Sequence, residues 1–122
     1  MKPKNILSAF VLLFVFCGFA IGSDYKESAI SWQKQANDTR GAVVGVAEEL
    51  NTIGDQGNTT AKGLIDDAVK WLGEGDKSLS KGDEDMEKED FEKASFNYNM
   101  AWQYYVKAAT AGLNAKRILT GK

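Results

Sequence analysis

From Ser23 to Lys122 the chain contains no proline; its single proline is Pro3. A proline inside a helix removes an amide donor and clashes with the preceding turn, so this stretch is free to run as long helices. Apolar residues recur with the matching period. Between Asp24 and Ile53, the residues Tyr25, Ala29, Trp32, Ala36, Val43, Ala47 and Leu50 stand three, four or seven apart, which puts them on one helix face. Asp24 with Glu27 fits a capping box, and Gly54 supplies a left-handed stop. No β-branched alternation occurs from Ser23 onward, so no strand is expected.

Gly54 to Asn58 reads as a loop. Thr59 or Thr60 then caps a second helix carrying Leu64, Ala68, Trp71, Leu72 and Leu79. Its weak point is Gly73-Glu74-Gly75, because each glycine inside a helix costs about 1 kcal/mol against alanine. A break there would make four helices of three. After Lys81-Gly82-Asp83, the run DEDMEKED is expected to lead into the third helix, where carboxylates favour the positive end of the dipole.

The first 22 residues have a different character. Lys2 and Lys4 precede an uncharged apolar run from Ile6 to Ile21, the pattern of an export signal. Ala20 and Gly22 suit cleavage before Ser23, giving a signal peptide over 1–22 and a helical domain over 23–122. The alternative is a membrane-tethered chain, either because residues 1–22 are retained or because Cys17 is lipidated. Cys17 is the only cysteine, so cleavage leaves a cysteine-free mature chain without disulfide or thiol chemistry. The expected location is the periplasm or the cell exterior.

The formal net charge is −2; without Lys2 and Lys4, 13 basic residues stand against 17 acidic ones, a net −4. A nucleic-acid partner is therefore not expected, since it calls for a basic footprint.

Phe91 to Tyr105 holds six aromatic residues in fifteen. On a helix, Phe91, Ala94, Tyr98, Trp102, Tyr105, Ala109 and Leu113 form one stripe, the expected core face. Phe96, Met100 and Tyr104 form a second line on the other side, continued by Ala111 and Ile118. A helix apolar on two sides is covered on both or leaves one side for a partner. Phe96, Met100 and Tyr104 are thus the candidate interaction face. Trp32, Trp71, Tyr98, Trp102 and Tyr105 are the candidate interior aromatics.

Lys88 to Trp102 resembles the second helix of a tetratricopeptide repeat. Phe91, Ala94, Tyr98 and Ala101 occupy its aromatic and small positions, and Gly82 stands where the repeat's first helix has a glycine. The tryptophan and leucine of the repeat are replaced by Ser78 and Lys81, its closing proline by Val106, and no second copy follows. The resemblance implies a helical hairpin with similar packing, not membership of the family.

The chemical inventory excludes more than it suggests. The chain has no histidine, which removes histidine-ligated metals, haem attachment through a histidine and Ser-His-Asp catalysis. Neither phosphate-cradling glycine motif occurs. Asp83, Asp85, Glu87 and Glu89 alternate, but an EF-hand loop beginning at Asp83 calls for glycine at Lys88 and glutamate at Ala94. No catalytic residue, cofactor or metal ligand is assigned. Asn37-Asp38-Thr39 and Asn58-Thr59-Thr60 are formal glycosylation triplets if the source is eukaryotic.

The expected fold is an all-α, up-and-down antiparallel bundle of three long helices, or four if the second one breaks. The expected role is that of a non-catalytic structural or protein-interaction module, meeting a protein partner or a second copy through a helix face. Two other roles compete with it. One is a carrier of a small apolar or lipid-like ligand between Trp32, Trp71, Tyr98 and Trp102; the other is a membrane-tethered accessory subunit.

Overall fold

A computed structural model describes residues 24–121, with the side chain of Asp24 left out. The signal segment, its cleavage before Ser23, Cys17 and the carboxylate of the Asp24 capping box lie outside the described residues. Three helices make up the rest: α1 (Asp24–Ile53), α2 (Thr59–Glu87) and α3 (Phe91–Thr120). No strand occurs among the described residues.

The helix ends follow local chemistry. Gly54 adopts φ 75° and closes α1 through its amide to the Leu50 carbonyl at 2.8 Å. The cap of α2 is Asn58, not Thr59 or Thr60: its side-chain oxygen accepts from the Ala61 amide at 2.9 Å, because the residue just outside the first turn is the one that reaches that amide. Asp90 does the same for α3 through the Lys93 amide.

Two boundaries differ from expectation. Helix α2 runs unbroken through Gly73-Glu74-Gly75 and Gly82, so the described residues form three helices and not four; packing outweighs propensity, for Gly75 and Gly82 are buried. The acidic run does not lead α3. Asp83 to Glu87 form the last turns of α2, against the dipole, with no basic residue in the final turn. Two of these carboxylates are held by tertiary bonds, Asp83 by Tyr98 and Asp85 by Asn97.

Cross-helix bonds fix the directions. Ser28 meets Ser95 and Glu49 meets Lys116, both at a separation of 67, so α1 and α3 run parallel. Gln33 meets Tyr98 and Asp83, while Arg40 meets Asp76, so α2 runs against both. Helices α1 and α2 each pack along α3 and touch one another sparsely.

A seven-residue series of buried residues runs along every helix: Ala29, Ala36, Val43 and Leu50 in α1; Ala61, Ala68, Gly75 and Gly82 in α2; Ala94, Ala101, Ala108 and Ala115 in α3, where Tyr98, Tyr105 and Gly112 form a second series. The interval is seven throughout. This spacing keeps one seam facing a neighbour along the helix, and small side chains there let the backbones approach. Larger side chains such as Trp32, Trp71, Leu72, Leu79 and Trp102 pack around the seams half-buried.

The stripe expected on α3 is rotated accordingly. Tyr98 and Tyr105 are fully buried, but Leu113 is 47% exposed and Phe91 and Ala109 are only half-buried. Tyr25, expected on the core face of α1, is exposed. Steps of 100° drift away from a strict seven-residue repeat, which misplaces residues at the ends of a long helix.

Candidate functional site

The interior is organised as a ladder that repeats every seven residues. On one rung the Tyr98 hydroxyl donates to Asp83 at 2.5 Å and accepts from the Gln33 amide at 3.0 Å. On the next, the Tyr105 hydroxyl donates to Asp76 at 2.5 Å, and Asp76 takes two bonds from the Arg40 guanidinium, at 2.8 and 3.2 Å. The residue before each aspartate is glycine, Gly82 or Gly75, and the tyrosine ring lies flat against it: a Cβ there would come within 2.6 and 2.5 Å of the ring carbons. The first rung is cruder, with the Lys26 ammonium 5.7 Å from the Phe91 ring centre.

This arrangement sets the protonation of its members. Burial, then the Asp83 carboxylate, pushes the Tyr98 phenol well above the usual tyrosine range, and burial with Asp76 does the same to Tyr105. The hydrogen bond from Arg40 holds Asp76 below the usual carboxylate range against the opposing effect of burial. A raised tyrosine pKa adds stability that is complete below the free value of about 10 and vanishes as pH climbs through the folded value. A lowered aspartate pKa adds stability present above about 4 and lost as pH falls through the folded value. Thermal melting followed against pH should therefore show a plateau between two falling limbs. The Tyr98→Phe, Tyr105→Phe double variant should flatten the alkaline limb, and Asp76→Asn the acid limb; limbs identical to wild type would contradict the assignment.

The ladder joins buried rings to polar groups at the surface, with Asp83 exposed and Arg40 and Asp76 half-exposed. Each ring is seated on glycine and each carboxylate has its donors. Trp32 and Trp102 close the same region with ring centres 5.3 Å apart. Tyr98 and Tyr105 lie fully inside, while Trp32, Trp71 and Trp102 are half-buried at the seams. Trp71 does not join the other two tryptophans; it stacks on Tyr104, with centres 5.6 Å apart and planes 14° from parallel.

In the second apolar line of α3, Met100 and Tyr104 are half-buried. Phe96 is 65% exposed. With Met100 and Tyr104 it borders an open groove whose other wall is α2, from Glu74 to Lys81. Cations frame this face: Lys70 and Lys107 stand 4.7 and 4.5 Å from the Trp71 ring centre, and Lys77 and Lys81 lie along the groove. Ala111, placed on the continuation of this line, is buried, whereas Ile118 is exposed.

No group of three histidine, cysteine, aspartate or glutamate side chains among the described residues is placed to hold a metal ion. No described helix is long and apolar enough to cross a membrane. Asn37 is exposed on α1 and its amide donates to the Gln33 carbonyl; Asn58 is exposed at the start of α2.

Sequence reasoning missed the ladder, although its signal was present: Gly-Asp occurs at 75–76 and 82–83, and tyrosine at 98 and 105, all at the same interval. The hairpin resemblance touched it, for Gly82 and Tyr98 are in contact across α2 and α3. Together these features define an architectural class, the all-α three-helix bundle. No family model, no curated protein and no solved structure matches the chain.

Proposed function

We propose that this chain is an exported, non-catalytic helical-bundle protein that works as a structural or protein-interaction module in the periplasm or at the cell exterior. Its working surface is the outer line of α3, and its partner presents a helix, from a second copy or from another protein. One observation carries the reading: Phe96 stands 65% exposed beside Met100 and the stacked pair of Tyr104 and Trp71, along a groove bordered by Lys77, Lys81 and Glu74. Aromatic and methionine side chains gathered at the surface are the composition of protein contacts. The absence of histidine and of nucleotide motifs supports a role without catalysis. The pattern of residues 1–22 supports export, after which no described helix would hold the protein in a bilayer.

Light scattering on residues 23–122 over a concentration series tests the reading. Wild type is expected to associate with itself or to retain a partner in pull-down from the exported compartment. The Phe96→Ser, Tyr104→Ser variant should lose that association while its melting temperature falls only slightly, because Phe96 is exposed and a lost aromatic pair costs about 0.5–1.5 kcal/mol. Association unchanged in the variant would overturn the reading. So would a loss of about 3–5 kcal/mol in stability, the mark of core rings.

A further inference from the structure

The ladder of polar and aromatic residues stops at Arg40, Asp76 and Tyr105. Continuing it by seven from Arg40, Asp76 and Tyr105 reaches Ala47, Val69 and Gly112. The ring and both of its polar partners disappear together, and the small residue of α2 at this level is Ala68. No side chain of α3 replaces the ring; Val46 and Leu50 of α1 close over Gly112, where a Cβ would stand 3.0 and 3.7 Å from them. Beside them a half-open pocket of about 550 Å³ lies between α1 and α2, floored by Ala108 and Gly112 and walled by Val43, Ala47, Leu50, Ile65, Val69 and Leu72. Its volume falls in the range of small-molecule sites, about 300–1,000 Å³. Val69 at its edge is 61% exposed, an apolar cost that an occupant would relieve.

The rim carries charge of one sign in excess. Glu48, Asp55, Asp66 and Lys62 border the opening. Lys62 is paired with Asp66 at 3.2 Å, and neither Glu48 nor Asp55 is in an ion pair among the described residues. An apolar pocket beneath two uncompensated carboxylates repels the head group of a fatty acid or phosphate ester and attracts a cation.

We infer that this pocket is a binding site for a small organic cation, a molecule pairing an aromatic ring or compact apolar group with a protonated amine. The ring lies in the pocket against Val43, Leu50, Val69 and Leu72, and the ammonium lies at Glu48 and Asp55. The site is separate from the outer line of α3 and does not depend on it.

Methyl NMR of the mature chain tests the inference with two matched probes, 2-phenylethylamine and 3-phenylpropionate. The amine should give saturable shifts at Val43, Leu50, Val69 and Leu72, and the carboxylate should bind at least about fivefold more weakly. Glu48→Gln, a change at an exposed position, should weaken the amine about two- to fivefold and narrow the gap between the probes. Ala47→Leu, which fills the pocket from α1, should abolish binding; if that variant does not fold, the Glu48→Gln comparison decides. Absence of saturable shifts, equal affinity for both probes, or shifts centred on the Met100 methyl would overturn it.

Discussion

Alanine at Gly75 and Gly82 is expected to destabilise the protein, while alanine at Gly73, in the same helix, is expected to stabilise it. Propensity alone assigns all three the same gain of about 1 kcal/mol. Packing separates them. A Cβ at Gly73 meets nothing within 4 Å, but at Gly75 it would lie 2.5 Å from Tyr105 and at Gly82 2.6 Å from Tyr98. Neither ring can retreat easily, because each is fully buried and its hydroxyl is bonded to an aspartate. Overpacking a core costs about 1–3 kcal/mol; contacts this close with rings that cannot retreat belong at about 2–3 kcal/mol, so each variant should lose about 1–2 kcal/mol after the helix gain of about 1 kcal/mol. The double variant should lose about 2–4 kcal/mol if the two sites add. For a domain of this size that lowers the melting temperature on the order of 10–30 °C, readable by circular dichroism. A Gly75→Ala protein as stable as Gly73→Ala would show that the rings do not sit on these glycines.

The second large effect lies on the other side of the same contact. Tyr105→Ala should cost about 3–5 kcal/mol, the range for truncating a buried aromatic side chain, which is a large part of a total stability of about 5–15 kcal/mol. The more discriminating outcome is a change of sign. With the ring gone, Gly75→Ala has nothing to strike and fills part of the void, so it should stabilise the Tyr105→Ala protein although it destabilises wild type. Urea denaturation of the four proteins in this cycle should give a coupling of about 1–3 kcal/mol. Coupling near zero would mean that the two residues act independently.

The three helices were legible because their signals are local. Absence of proline, the periodic apolar residues and Gly54 each act within a turn or two of chain, and the observed bounds Asp24–Ile53 and the loop to Asn58 agree with them. The acidic run was misread for the same reason. Asp83 and Asp85 look like a helix start when judged against their neighbours in sequence, but their partners Tyr98 and Asn97 belong to the following helix.

Of the candidate surface, the separation of Phe96, Met100 and Tyr104 from the stripe through Tyr98 and Tyr105 could be counted from the sequence by helical periodicity; that Phe96 is exposed while Met100 and Tyr104 are half-buried could not. That Tyr104 stacks on Trp71, with lysines over the indole, could not be counted, because nothing in α3 specifies which residues of α2 come opposite. The pocket at Gly112 was equally hidden. An absent side chain leaves no mark in a sequence until the repeat that it interrupts has been recognised.

By itself the sequence determined that residues 24–121 are all-helical, with few breaks and a cluster of rings in the last third of the chain, because those properties depend on backbone sterics and on the period of apolar residues. Only the tertiary structure decided which side chains are inside. It put glycine and alanine at the centre and left leucine at 113 outside, because close approach of the backbones rewards small residues at the seam. It also joined Gly75 to Tyr105 and Asp76 to Arg40 across three helices, contacts that exist only once all three helices are packed in register.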